Sequence, residues 1–550
     1  MKLLDFLYKR LKSHGVDHVF GVPGESVYLH YHYLEKSQLK SIVMTHEPCV
    51  GYATDAYSRI RGLGAALVSY GVGTLNMVNA VGQAYAESSP MVVISGGPGI
   101  SERRKYIYLH HKVRSYETQQ RVMSEITALS IIIDNPLTAS REIDRALDTA
   151  ETFKRPVYIE IPRDMCEVEI QEEPFHPQPQ FEDHAALKEA LDEISEMLNN
   201  AKNPVIIADA ELARLGLQKE LIMFAEKTNI PVASTILGKS IFPEENPLAL
   251  GVYFGILSNP EVAEFIHASD FRLMLGVILS DINLGMFTAK VSLDDAVVAN
   301  IDGLRVKKHF YPQIGLSLFM KGLLGRKDIK RHNMSFPKIH VPSYPTGSSD
   351  SKITVKALLT ILNEFIDKGY RVICDVGDCL FAGQELQIRG ASTFLSPAYY
   401  LSMGFSIPGA IGAQTAEPVR RPVVMVGDGA FQMTGMELFT IAKLKLNPII
   451  VLFNNSIFAT LRYCEPHATA KEHRIPTADY SKMAEMMGGK GICVKTVGDL
   501  KNALQIAKNV KDTFCLLDVR IDKADISPAL RSFGEKLGAF VESSAQAKKS

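Results

Sequence analysis

Short, unbroken apolar runs alternate along this chain with stretches whose apolar residues recur every three or four positions. Pro422-Val423-Val424-Met425-Val426 and Pro448-Ile449-Ile450-Val451-Leu452-Phe453 have the length and β-branched content of strands buried on both faces, and Met436 to Leu446 between them has helical spacing. Similar runs occur earlier: His18-Val19-Phe20, Ala65 to Ser69, Val92 to Ser95 and Val157 to Ile161. Pro204 to Ala208, Ile230 to Ala233, Phe271 to Gly276 and Ala296 to Ile301 follow, with a helix expected over Leu217 to Lys227. Strands that alternate with helices predict an α/β fold built on parallel sheets. Two polar, proline-rich stretches, Glu167 to Asp183 and Asn333 to Ser351, read as linkers. They divide the chain into residues 1–170, 185–340 and 352–540, three consecutive open, mainly parallel-sheet domains, with a polar tail from Ser543 to Ser550 expected to fray. Met1 to Leu7 reads as the first turns of an amphipathic helix.

Composition narrows the class. Of 550 residues, 46% are hydrophobic and 22% charged, which allows an ample core. A formal net charge of −1 offers no field for nucleic acid or an anionic membrane, and Arg103-Arg104-Lys105 is too short to change that. Seven cysteines (49, 166, 374, 379, 464, 493 and 515) show no CxxC spacing, so reduced thiols are expected and a zinc site is not. No apolar run approaches the ~20 residues of a membrane span, and an acidic residue interrupts the first one. The expectation is a cytoplasmic protein.

The chemistry concentrates in Gly427-Asp428-Gly429, followed after 24 residues by Asn454-Asn455. Both groups fall at the C-terminal ends of strands in one βαβ unit, where open α/β sheets bind ligands. Carboxylate and amide oxygens suit a hard divalent cation, and Mg²⁺ commonly shares its shell with phosphates. An Asp-Gly corner alone marks a strand-end turn; the asparagine pair at this distance makes it a candidate site.

The pattern resembles the signature of thiamine-diphosphate enzymes. That resemblance implies Mg²⁺ on Asp428, Asn455 and the backbone carbonyl of Ile457, with Gly427, Gly429, Ala430 and Asp378 along the cofactor and Met403 propping it in a bent conformation. It also implies one glutamate, in a largely apolar pocket, that bonds the aminopyrimidine ring and promotes loss of the thiazolium C2 proton. Glu47, in Met44-Thr45-His46-Glu47-Pro48-Cys49-Val50-Gly51, occupies that place. Ser69-Tyr70-Gly71-Val72-Gly73-Thr74-Leu75-Asn76 and Tyr85-Ala86-Glu87-Ser88-Ser89-Pro90 continue the match. The pair His110-His111 is the mark of the 2-keto acid decarboxylases, where imidazoles manage protons near neutrality.

Other stretches, among them Asp375-Val376-Gly377-Asp378-Cys379, Tyr399-Tyr400-Leu401-Ser402-Met403 and Gly276-Val277-Ile278-Leu279, are similar to the phenylpyruvate/indole-3-pyruvate decarboxylases, so that the resemblance spans nearly the whole chain. Two positions depart from the wider decarboxylase pattern. Glu25 stands where an aspartate is usual, and Leu461 where the pyruvate-specific members carry a glutamate. The implied activity is non-oxidative decarboxylation of an aromatic 2-keto acid, with Glu25, Glu47, His110 and His111 catalytic. The resemblance implies a homodimer or dimer of dimers with the cofactor at the subunit interface. A broad, branched-chain or pyruvate decarboxylase, a thiamine-diphosphate carboligase and a catalytically decayed cofactor-binding protein are the alternatives.

Overall fold

The computed structural model describes residues 1–103, 108–177, 182–291, 296–339, 341–464 and 471–547. Arg104 and Lys105 of the basic run, residues 178–181 of the first expected linker and 548–550 of the tail lie outside these. Three α/β sheets carry the fold. The first contains β1 (His18–Gly21), β2 (Lys40–Val43), β3 (Gly64–Val68), β4 (Met91–Gly97), β5 (Leu129–Ile132) and β6 (Val157–Pro162), in the order β2-β1-β3-β4-β6-β5 and parallel throughout. β3, β4 and β6 are buried at every residue, as helices packed on both faces require.

The second sheet contains β7 (Pro204–Ala208), β8 (Val232–Ser234), β9 (Ala249–Val252), β10 (Phe271–Leu275), β11 (Ala296–Asn300), β12 (Gly303–Val306) and β13 (His309–Tyr311), in the order β13-β12-β11-β10-β7-β8-β9. β12 and β13 form an antiparallel edge, whose three- and four-residue strands are too short to show a period in the sequence. The third sheet is again all parallel: β14 (Tyr370–Cys374), β15 (Phe394–Leu395), β16 (Arg421–Gly427), β17 (Ile449–Asn454), β18 (Lys490–Val494) and β19 (Cys515–Arg520), ordered β15-β14-β16-β17-β19-β18. In each of the last two sheets the chain starts in the middle, builds one side and then crosses to the other. A crevice therefore opens between β7 and β10 and between β14 and β16, at the strands' C-terminal ends.

By contacts the chain forms two compact units. One contains Met1–Pro179 with Ile407–Val419 and Thr434–Leu446; the other contains Gln180–Ser406, Arg420–Met433 and Asn447–Ser550. The helical expectation over Met436 to Leu446 needs correcting. A helix starts earlier, on Asp428, and runs to Thr434; a 3₁₀ turn (Gly435–Glu437) and a second helix (Leu438–Lys443) follow. The C-terminal tail also differs from expectation, because the helix Pro528–Ala547 continues through Ser543. Among the described residues no helix is long and apolar enough to cross a membrane.

Candidate active site

In the second unit the ends of β14, β16 and β17 border an open-mouthed cavity of roughly 180 Å³. The structure brings Asp378, Met403, Gly427, Asp428, Gly429, Ala430, Asn455 and Ile457 to its wall, together with Leu461. Asp428 follows β16 directly and is 2% exposed. Its carboxylate accepts from the backbone N–H of Gly429 (2.9 Å) and of Ser456 (2.6 Å). Burial pushes the Asp428 carboxyl up to about 6, and the surrounding backbone donors only partly oppose that shift. No cationic side chain pairs with it among the described residues. A desolvated carboxylate beside unfilled space is a fit for a divalent cation, which would supply the missing charge.

The two asparagines have separate surroundings. Asn454 Nδ2 donates to Asp518 Oδ1 (2.7 Å) and to the Ala478 carbonyl (3.2 Å), inside the sheet. Asn455 borders the cavity, and its Oδ1 accepts from the Ile457 N–H at 3.1 Å. The turn that carries Ile457 is held on its other side by residues 473–475: Phe458 N donates to the His473 carbonyl (2.8 Å) and Ile475 N to that of Ser456 (3.0 Å). Ser456 at φ +57° lies in the left-handed region, which this double clamp imposes on a non-glycine residue. A Cβ placed on Gly427 would meet nothing within 4 Å, so the backbone there opens onto the cavity.

No cluster of three or more His, Cys, Asp or Glu side chains suited to a metal occurs among the described residues. The candidate cation site therefore rests on one carboxylate, one amide and one carbonyl, with room for phosphate oxygens. Asp378 is less available than its sequence position implies. Burial pushes it up to about 6, and its oxygens already accept from Ser527 N (3.2 and 3.1 Å) and from the Ser527 hydroxyl.

The other candidate residues lie in the first unit. Glu47 begins the helix Glu47–Arg61, with Pro48 in its first turn. Asn76 Nδ2 contacts Glu47 Oε2 and His46 Nε2, each at 2.9 Å. Glu47 is half-buried and not enclosed in an apolar pocket as expected, because the first turn of its helix lies at the edge of this unit. His110 Nε2 is hydrogen-bonded to Glu25 Oε1 across 85 residues of sequence, and both side chains are more than half exposed. His111 packs edge-on against His110, with ring centroids 4.7 Å apart. A Cβ on Gly71 would lie 2.5 Å from the His111 carbonyl, so only glycine fits at that approach. The helix Val72–Asn76 runs from this glycine to the asparagine on Glu47, linking the histidine turn to the glutamate over about 7.5 Å of helix axis.

Several structural features carry no clear sequence signal. Phe458, Thr460 and Ile475 complete the cavity wall. Glu87, part of a matched stretch, is fully buried and pairs with Arg59 at 2.7 Å, while Arg59 also holds Asp55 at 2.7 Å. Glu437, read only as part of a helix, is fully buried in the first unit and accepts from Thr45 N at 2.9 Å.

Three domain models over most of the chain define a thiamine pyrophosphate enzyme. Residues 1–125 match the thiamine pyrophosphate enzyme N-terminal TPP binding domain, 191–325 its central domain and 375–519 its C-terminal TPP binding domain. Along its length the chain is similar to an indole-3-pyruvate decarboxylase of Azospirillum brasilense, with 35% identity over 541 residues, or 97% of this chain and 98% of that one. It is 31% identical to a putative pyruvate decarboxylase of Schizosaccharomyces pombe (90% and 91% covered) and 29% identical to a pyruvate decarboxylase of Neurospora crassa (97% and 96%). The chain belongs to the thiamine-diphosphate-dependent 2-keto acid decarboxylases.

Proposed function

We propose that this decarboxylase acts on an aromatic 2-keto acid, phenylpyruvate or indole-3-pyruvate, and releases the aldehyde and carbon dioxide. The observation that carries the choice is Leu461 on the cavity wall, beside Phe458 and Ile475 and without the glutamate of the pyruvate-specific members. An apolar wall gains from burying an aryl side chain, at roughly 25 cal/mol per Å², and gains little from a methyl group. The indole-3-pyruvate decarboxylase among the similar proteins supports the same reading.

In this reading Asp428, Asn455 and the Ile457 carbonyl would hold Mg²⁺, while Gly427, Gly429, Ala430, Asp378 and Met403, on the same cavity wall, would hold the cofactor. Bound there, thiamine diphosphate supplies the nucleophilic carbon and the electron sink that let carbon dioxide leave. Glu47 would be the acid that faces the aminopyrimidine of the bound cofactor and holds or releases its proton there, with Asn76 keeping the carboxylate in one direction. Glu25 and His110 deliver the proton that replaces the departing carboxylate, with His111 beside them. One proton is taken up for each carbon dioxide released.

We further place the working site in a homodimer or dimer of dimers, with the cofactor at the subunit interface, in the cytoplasm. Exposed Glu25 and His110 favour this, since proton transfer to a reactive carbon calls for a site shielded from water. Mixing Glu47→Gln and Asp428→Asn proteins, followed by subunit exchange, should then restore activity that neither has alone; no recovery after proven exchange goes against a shared site. The substrate assignment is tested with specificity constants for pyruvate, branched, phenyl- and indole-substituted keto acids, counting aldehyde and carbon dioxide together. The aryl substrates should lead. Pyruvate leading, or a coupled hydroxyketone as the sole product, overturns the reading.

A further inference from the structure

Glu437 lies between Asp428 and Asn455 in sequence, yet its side chain is fully buried in the first unit. Its Oε1 accepts from both the N–H (2.9 Å) and the hydroxyl (2.6 Å) of Thr45, and its Oε2 from the Thr440 hydroxyl (2.6 Å). The Cys49 thiol is driven up by burial and then by Glu437 beside it. No Lys, Arg or His pairs with Glu437 among the described residues. A buried carboxylate held by neutral donors alone is a poor source of stability, which leaves position as what its three hydrogen bonds supply.

The segment it grips supplies one. Met44 N makes a hydrogen bond to the Gly21 carbonyl beside β1 and β2, and the helix begins three residues later on Glu47. His46, at the N-cap, makes no side-chain capping bond. The direction in which the chain approaches Glu47 is therefore fixed from outside, at Thr45 by Glu437 and at the carboxylate by Asn76. We propose that Glu437 is a positioning residue for Glu47, so that the segment joining the two cation ligands also aims the acid. The proposal rests on the role given to Glu47 above.

The test uses the full-length enzyme saturated with thiamine diphosphate and Mg²⁺. Glu437→Gln should lower kcat about ten- to a hundredfold, the scale of a misplaced catalytic group, with KM changed less than about threefold. Deuterium exchange at the cofactor C2 should slow in proportion. In a Glu47→Gln background the same change should add less than about twofold, because Glu437 would act only through Glu47. Thr45→Val, at an exposed position, should reproduce the direction at about three- to tenfold and carries the test if Glu437→Gln does not fold.

An equal loss in both backgrounds, or a loss confined to KM, overturns the proposal. If Glu47→Gln is slow and folded Glu437→Gln is not, this proposal alone falls; if Glu47→Gln keeps the wild-type rate, the reading of Glu47 falls and takes this with it.

Discussion

The crevices of the second and third sheets share one topology and begin alike, but only one stays open. Asp209 follows β7 and Asp375 follows β14, both fully buried. Asp209 accepts from Ala210 N (2.7 Å), Ile278 N (3.0 Å) and Asn283 Nδ2 (2.9 Å). Asp375 accepts from Val376 N (2.9 Å), Gly404 N (2.9 Å) and Ser406 N (2.8 Å). Asp209 thereby ties the end of β7 to the chain leaving β10, and Asp375 ties the end of β14 to the chain between β15 and β16. The following strands then diverge. β10 ends in Gly276 at φ +64°, where a Cβ would lie 2.9 Å from Leu212 N, so the chain itself closes the crevice. β16 ends in Gly427, where a Cβ would meet nothing within 4 Å, and the Asp428 carboxylate that follows has backbone donors but no cationic side chain among the described residues. Buried acids at switch points are thus not sites in themselves. The difference is whether the fold satisfies them.

The largest test of that contrast is Asp428→Asn. Removing the charge should weaken Mg²⁺-dependent cofactor binding at least about a hundredfold and abolish turnover. The cofactor-free Tm should hold or rise, because a desolvated carboxyl is gone; a sharp fall in Tm would class Asp428 with the clamps. Asp209→Ala is the mirror image. Leaving its buried donors unpaired should cost about 2–4 kcal/mol and lower Tm by several degrees, with kcat of the folded protein within about twofold. Lost turnover without lost stability would break the comparison.

The acids also separate by pH. With Asp428 as the proposed Mg²⁺ ligand, which must be ionised to bind, cofactor affinity should fall about tenfold per unit once pH drops below about 6, the value to which burial raises Asp428. Asp209, raised by burial to about 7, acts on stability in the opposite sense. The folded chain holds its proton more tightly than the unfolded chain, so its stabilising contribution is fully present below about 4 and is lost as pH rises through about 7. Asp209→Asn should flatten that part of a Tm-against-pH curve for the cofactor-free protein. The smallest effect is expected at the rim, where Leu461→Glu should move the ratio of pyruvate to phenylpyruvate specificity constants roughly tenfold toward pyruvate. No change would remove Leu461 as the selector.

The cavity lining was readable in the sequence because its signal is local: Asp428 and Asn455 each follow an apolar run that ends in a turn. The parallel sheets were readable for the same reason, since β3, β4 and β16 are buried over nearly their whole length and read as continuous apolar runs. Contacts between distant segments were not. Glu25 meets His110 across 85 residues, and no period in the sequence joins a 3₁₀ turn to a histidine in a distant turn. Glu437 reads only as one position of a helical stretch until the fold buries it beside Thr45. Glu47 was expected to be enclosed, but one chain alone leaves it half-open.

The division between Asn454 and Asn455 means that two neighbouring, chemically identical residues should fail in different ways. A genetic screen would score loss of either simply as an inactive allele. A strain carrying Asn455→Ala should recover when thiamine and magnesium are supplied in excess, because mass action offsets weak binding. One carrying Asn454→Ala, which breaks the tie to Asp518, should recover only on cooling.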